Sequence, residues 1–377
     1  MPSIWSDLEP LLPLVERPAR YIGCEEGAFA PEHSAHKVAW LLTYPDTYEV
    51  GLPNQGLQIL REILNERDDA VAERSYSVWT DLETRMRGRQ LPLFSVDSHR
   101  PASDFDVIAF NLSAELVNTN LLNAVDLAGV PVRNSARSEA DPLIGAGGHC
   151  AFNPEPLAEY VDFFVMGDGE EVVGKVNDVL VEWKLSGRPQ GSRERVLRNL
   201  ASVPGVYVPS MYTVTYDGAQ IVSVEPLYSD VPAVVEKQTI ANLADWPYPK
   251  NQIIPITEVV HDRLNVEVFR GCTRGCRFCQ AGMITRPVRE RPADQVRTMV
   301  RNGLARSGYD EVALTSLSTA DFSGINEVVA DIAGCGDVTV SLPSLRVDAF
   351  TVGIAAYVSQ GRRSGLTFAP EAGTWRL

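Results

Sequence analysis

The chain has 377 residues, with 34 Lys and Arg against 49 Asp and Glu, for a formal charge of −15. That length suggests two or three domains with a sizeable core, and 45% hydrophobic with 22% charged residues excludes a disordered chain. No apolar run reaches the roughly 18 residues of a membrane span, the acidic opening M-P-S-I-W-S-D-L-E-P lacks the basic region of a signal peptide, and a pI near 4.9 argues against a broad nucleic-acid or anionic-membrane footprint.

Residues 1–36 read as a helical segment, with Leu8, Leu11, Leu12, Leu14 and Val15 in an apolar pattern, followed by a loop. Strand–helix alternation starts with a buried strand at Lys37–Tyr44. Gln55–Glu66 places Leu57, Leu60, Ile63 and Leu64 on one helical face. Asp106–Asn111 is a second strand. Leu116–Ala128 is a helix stopped by Gly129 and Pro131. Strands at Pro142–Ala146 and Val161–Met166 run into Gly147-Gly148 and Gly167-Asp168-Gly169, and a helix covers Glu170–Trp183. This predicts an α/β, doubly wound, Rossmann-like domain over 37–185, with ligands at the carboxyl ends of the strands. Ser186–Ser192 is a linker.

A small β insert or linker spans 200–250. It has β-type runs at Val206–Pro209, Tyr212–Tyr216 and Gln220–Val224 and a hairpin signal at Asp217-Gly218. Alternation resumes over 259–377. Strands are expected at Asn265–Phe269, Glu311–Thr315, Val338–Leu342 and Leu366–Ala369, and helices at Arg291–Ser307, Asn326–Ala333 and Thr351–Ser359.

Six cysteines exclude a disulfide scaffold, and three of them fall on one loop, Arg270-Gly-Cys272-Thr-Arg-Gly-Cys276-Arg-Phe-Cys279. This C-x3-C-x2-C spacing, directly after a strand, points to a metal site in a reducing, cytoplasmic compartment. Three thiolates hold three irons of a 4Fe–4S cube and leave the fourth iron open, whereas electron-transfer clusters use four cysteines. Cys24, Cys150 and Cys335 are isolated. The alternatives are zinc or inert thiols. Structural zinc usually takes four ligands, and His261 is eleven residues upstream, across a strand. Between His261 and Arg306 ten arginines face four acids, a +6 island in a chain whose remainder carries −21. These arginines are expected to offset the charge of an anionic cluster.

The cysteine motif, with Phe278 before its last cysteine, resembles the radical S-adenosylmethionine superfamily. The resemblance extends to Val260–Arg263, Arg286–Arg291, Leu314-Thr-Ser-Leu-Ser-Thr-Ala-Asp321, Ser341-Leu-Pro-Ser-Leu-Arg346 and Phe368-Ala-Pro-Glu-Ala-Gly373. It is similar to a branch with an N-terminal cobalamin-binding-like domain and covers most of 37–376. It implies a 4Fe–4S cluster on Cys272, Cys276 and Cys279, and reductive cleavage of S-adenosylmethionine to a 5′-deoxyadenosyl radical acting on an unknown substrate. A flavodoxin- or ferredoxin-type electron donor is the implied partner. Carried across, Phe278 lies near the adenine and Thr315, Ser316 and Leu317 near the methionyl amino group. Ser341 and Arg346 lie near the ribose or carboxylate. Glu371 is either a ribose or substrate contact or an acid favoured at a helix N-terminus.

The resemblance also implies that 259–377 holds the first four strand–helix units of a partial (β/α)6 TIM-type barrel. The family has six such units, so this chain is expected to be a fragment with an exposed sheet edge and poor solubility or no turnover. Histidine-ligated cobalamin domains carry D-x-H-x-x-G after the first strand. Here Asp46-Thr-Tyr48-Glu-Val-Gly51 has tyrosine at the axial position. Cobalamin bound without a lower protein ligand, or a domain that has lost its ligand, both remain open. His99, in a loose copy of the motif, reads as a surface loop residue, and His149 as a turn residue. Two other functions stay in view: a non-enzymatic iron–sulfur or zinc protein, and an RNA-modifying methyl- or methylthiotransferase. The charge outside the island argues against the latter.

Overall fold

In the computed structural model the described residues are 3–334, 336, 338–346, 368–369, 373–374 and 376. The chain forms two compact units, one from residues 1–239 and 255–260, the other from 240–254 and 261–377.

In the first unit, α1 (Trp5–Leu8) opens the N-terminal segment, which buries Leu8, Leu11 and Tyr21. Strand β1 (Val38–Tyr44) is buried at all seven residues, as a parallel strand covered on both faces must be. After α2 (Tyr48–Gly51), Asn54 caps α3 (Gln55–Asn65), its side chain accepting the Leu57 amide at 3.0 Å. Then come β2 (Ala70–Tyr76), α4 (Thr80–Arg89), β3 (Val107–Asn111), α5 (Asn118–Leu127), β4 (Leu143–Gly147) and β5 (Phe163–Val165). Helix α6 (Glu170–Leu185) starts with two glutamates, which favour its positive end. The Trp40 indole donates to Asn177 at 2.9 Å, tying α6 to β1. Helix α7 (Ser192–Ala201), β6 (Val206–Tyr207) and the hairpin β7 (Tyr212–Asp217) and β8 (Gln220–Pro226) complete the unit.

The sheet order is β2-β1-β3-β4-β5-β6, parallel except for β6, which is antiparallel to β5. This is the flavodoxin-like version of the doubly wound sheet, and the order reverses between β1 and β3. One expectation changes here, and one strand has no counterpart in the sequence reading. Val206 belongs to the main sheet, and the free-standing β element is only the β7–β8 hairpin. Strand β2, with no apolar run to reveal it, carries Glu73 and Arg74 into the interior, where both are buried. Arg74 pairs with Glu25 at 3.0 Å and Asp97 at 2.7 Å, while Glu73 meets His33, Ser95 and Ser98. Each buried charge is matched, which is what makes its burial tolerable.

The second unit runs β9 (Leu264–Glu267), β10 (Phe269–Arg270), α8 (Gln280–Ile284), β11 (Arg289–Glu290), α9 (Ala293–Ser307), β12 (Glu311–Thr315), α10 (Ile325–Ala333), β13 (Thr339–Ser341), β14 (Leu345–Arg346) and β15 (Phe368–Ala369). A parallel sheet, β13-β12-β9, pairs Thr315 with Glu267 and Ala313 with both Asn265 and Ser341. Strand–helix–strand repeats of this kind build a TIM-type barrel wall. Val266, Val300, Val312, Leu314, Val328, Ile332 and Val340 form its core. The fourth expected strand is present as β15, paired in parallel with β14. The expected helix at Thr351–Ser359 lies outside the described residues. No helix among the described residues is long and apolar enough to cross a membrane.

Candidate metal centre

The loop that carries the three cysteines leaves β10 at Gly271. Its φ is +89°, and a β-carbon there would lie 2.4 Å from the Pro287 carbonyl oxygen. Only glycine lets the backbone turn so close to the strand that follows. Cys272, Cys276 and Cys279 are half-buried, and none of the described cysteines forms a disulfide. The Cys279 amide donates to the Cys276 carbonyl at 3.1 Å. Its own Sγ caps α8 by accepting the Gly282 amide at 3.3 Å. Cys272 Sγ accepts the Arg274 amide at 3.4 Å. A β-carbon at Gly282 would touch Cys279 Sγ at 3.5 Å and Cys272 Cβ at 3.8 Å, so the first and last cysteines meet across that glycine. Backbone N–H groups aimed at sulfur favour thiolate over thiol and tune iron–sulfur sites.

No three His, Cys, Asp or Glu side chains among the described residues converge on a single-ion site. One tetrahedral zinc needs its sulfurs about 2.3 Å from a common point, whereas a cluster spreads its ligands over several irons. The donor set, three thiols on an amide-backed loop, suits the cluster.

The arginines of the island also serve as scaffold, and those bonded to neutral carbonyls keep their charge. Arg286 donates to the carbonyls of Cys272 at 3.3 Å and Arg274 at 2.8 Å, clamping the loop. Arg289 and Arg291 spend donors on backbone carbonyls, including those of Ile240 and Leu243. Arg263, Arg270 and Arg301 pair with Glu311, Glu267 and Asp331. Arg277 lies exposed on the loop.

The cofactor candidates fall into two groups. Thr315 ends β12, and its carbonyl accepts the Val268 amide at 3.0 Å, just before the cysteine loop. Its Oγ1 is buried with no hydrogen-bond partner among the described residues. Ser316 Oγ lies 3.1 Å from the Thr319 hydroxyl and accepts the Ser318 amide. Leu317 and Phe278 are exposed, Phe278 at 63%. Ser341 behaves otherwise. It pairs at the level of Asn265, two rungs below Thr315, and its hydroxyl accepts from Arg263, ahead of β9. Its hydroxyl thus has a partner within the sheet. Arg346 is buried and donates to Asp321 at 2.6 Å. Glu371 lies outside the described residues. Sequence reasoning placed Asp321 and Arg286 in the resembling stretches but gave them no role; a carboxylate six residues past a strand carries no signal of its own.

In the first unit, the axial position fits no cobalt ligand. Tyr48 is 1% exposed and packs edge-on to Tyr76 at 5.4 Å. Burial, followed by the Glu25 carboxylate, pushes its phenol far up, so it stays neutral. The glycine turns are met by the chain itself. A β-carbon at Gly148 would lie 2.8 Å from the Leu112 carbonyl oxygen, and one at Gly167 2.1 Å from that of Gln238. His149 sits exposed in its turn, as read. His99 does not match its surface reading. It is half-buried between Trp5 and Phe94, its ring nitrogen 2.9 Å from the Tyr21 carbonyl oxygen.

A family model described as "Radical SAM superfamily" matches residues 266–354, the barrel strands and the cysteine loop together. A second, "Radical SAM proteins, N-terminal", matches 56–209. The chain belongs to the radical SAM superfamily. It is 26% identical over 304 residues to the uncharacterized protein MJ0966 of Methanocaldococcus jannaschii, covering 78% of this chain and 56% of that one. It also resembles the structure of the radical S-adenosylmethionine methyltransferase TsrM from Kitasatospora setae, solved with cobalamin and a 4Fe–4S cluster bound. There the TM-score is 0.50 at 14% identity, over 86% of this chain and 59% of that one. A second TsrM structure, with tryptophan and a SAM analogue, gives a TM-score of 0.49 at 13% identity, over 85% and 57%. The chain thus spans just over half the length of the proteins it matches. The TsrM likeness shows the fold of this radical SAM protein: a cobalamin-binding-like sheet followed by a barrel wall.

Proposed function

We propose that this radical SAM protein holds a 4Fe–4S cluster on Cys272, Cys276 and Cys279 and binds S-adenosylmethionine at the end of β12. The observation that carries the reading is the loop itself: three thiols, two of them accepting backbone amides, following Val268, whose amide donates to the carbonyl of Thr315. When bound and reduced, the cluster supplies an electron that cleaves S-adenosylmethionine to methionine and a hydrogen-abstracting 5′-deoxyadenosyl radical. The protein's share is positional. Gly271 and Arg286 fix the loop, Thr315 offers a donor or acceptor to the methionyl end, and Phe278 offers an apolar face to the adenine. Arg346, anchored through one of its nitrogens on Asp321, has further donors to offer the ribose or carboxylate.

An electron donor of the flavodoxin or ferredoxin type is the expected partner. The first unit's fold suits a corrinoid, but Tyr48 removes the protein ligand to cobalt, so no step is assigned to that cofactor. The RNA reading is the less favoured one, because the chain outside the arginine island carries −21. Anaerobic reconstitution should load about four irons per chain, and dithionite with S-adenosylmethionine should release 5′-deoxyadenosine. Cys276→Ala should abolish both. Metal uptake without 5′-deoxyadenosine would favour a structural or redox-sensing role.

A further inference from the structure

Asp321 lies six residues beyond β12 and belongs to no part of the cysteine motif. Its two oxygens face two arginines. Oδ1 accepts from Arg274, inside the cysteine loop, at 3.1 Å, and Oδ2 accepts from Arg346, in β14, at 2.6 Å. Oδ2 also accepts the Ser318 hydroxyl at 2.8 Å, and the Asp321 amide closes a turn onto the Ser318 carbonyl at 2.9 Å. That turn is anchored in its own right, because Ser318 and Thr319 are buried and the Thr319 amide donates to the Ser344 carbonyl at 3.0 Å. Asp321 is therefore a fixed carboxylate joining the cysteine loop to β14.

At Arg274 the effect reaches the metal site. Its guanidinium is held by Asp321, its carbonyl by Arg286, and its amide is the donor to Cys272 Sγ. We propose that Asp321 is a positioning residue for the cluster: by fixing Arg274 it keeps the Arg274 amide aimed at the Cys272 sulfur and the loop closed around the cluster. The inference rests on the cluster reading above but concerns a residue that touches no iron. Arg274 is 47% exposed at its side chain, so solvent screens this pair and the expected effect is modest.

The test uses the full chain and compares Asp321→Asn, Arg274→Met, the double variant and Asp321→Glu. Hydrogen exchange of the 272–279 segment is followed without metal, and iron loss to a chelator is followed after reconstitution. Asp321→Asn should speed both by roughly two- to fivefold, with exchange in β12 unchanged. The same change in the Arg274→Met background should add little, and Asp321→Glu should restore most of the protection. Unchanged exchange in Asp321→Asn would overturn the proposal, as would an equal effect in the absence of Arg274. If the unaltered protein takes up no iron, the cluster reading fails, while the exchange measurement still decides whether Asp321 holds the loop.

Discussion

Replacing Gly271 by alanine should damage the metal centre without touching a ligand. At φ +89°, an L-residue costs about 1–2 kcal/mol in backbone strain. The new β-carbon would also sit 2.4 Å from the Pro287 carbonyl oxygen and 3.0 Å from that of Thr285, both backbone atoms that cannot rotate away. Together these should cost about 2–3 kcal/mol, within the range for strained backbone positions, and lower the melting transition of the second unit by about 5–10 °C. Gly275, four residues on in the same loop, is the control. A β-carbon there meets nothing within 4 Å, and its φ is not in the left-handed region, so Gly275→Ala should stay within about 0.5 kcal/mol of the parent. The assay is a thermal melt paired with iron content after reconstitution. Parent-like stability and iron in Gly271→Ala, or equal losses in the two variants, would refute the account of how the loop is built.

Thr315→Val should leave stability unchanged or slightly raised, because it removes a buried hydroxyl that has no partner. It should weaken S-adenosylmethionine binding, measured by titration of the reconstituted protein; unchanged binding would move the methionyl site elsewhere. Glu73 gives a pH prediction. Burial alone would raise its carboxyl, but hydrogen bonds from His33, Ser95 and Ser98 hold it below the ordinary value. Its stabilisation is therefore present above the unfolded pKa of about 4.3 and lost as pH falls through the lower folded value. Glu73→Gln should lower stability at neutral pH and flatten the acid limb of a denaturation series; an unaltered acid limb would count against this network. Cys150→Ala should retain full iron, because burial, followed by Glu115, pushes that thiol up to about 11, which disfavours the thiolate a cluster needs.

What the sequence discloses here depends on how far away a residue's partners lie. Strands β1 and β3 show as apolar runs because their neighbours on both faces are apolar. Strand β2 does not, because Glu73 and Arg74 are made tolerable inside by Glu25, His33, Ser95 and Asp97, none of which is local in sequence. The cysteine spacing is legible because a cluster demands its ligands on one short loop. The level of Ser341 in the sheet is not, since it follows from the pairing of β13 with β12, which the sequence does not state. Likewise the ten arginines around three cysteines do not disclose that most of them hold a carbonyl or an acid, with Arg277 left exposed. Asp321 matters through two arginines, one 47 residues before it and the other 25 after, and no spacing rule announces it.

The central claim is that three cysteines hold a cluster whose remaining iron is open to S-adenosylmethionine. Electron paramagnetic resonance of the reconstituted, dithionite-reduced chain tests it most directly. The account predicts a reduced 4Fe–4S signal that changes shape when S-adenosylmethionine is added and is missing in Cys276→Ala. A reduced signal identical with and without S-adenosylmethionine would contradict it, as would an undiminished signal in Cys276→Ala.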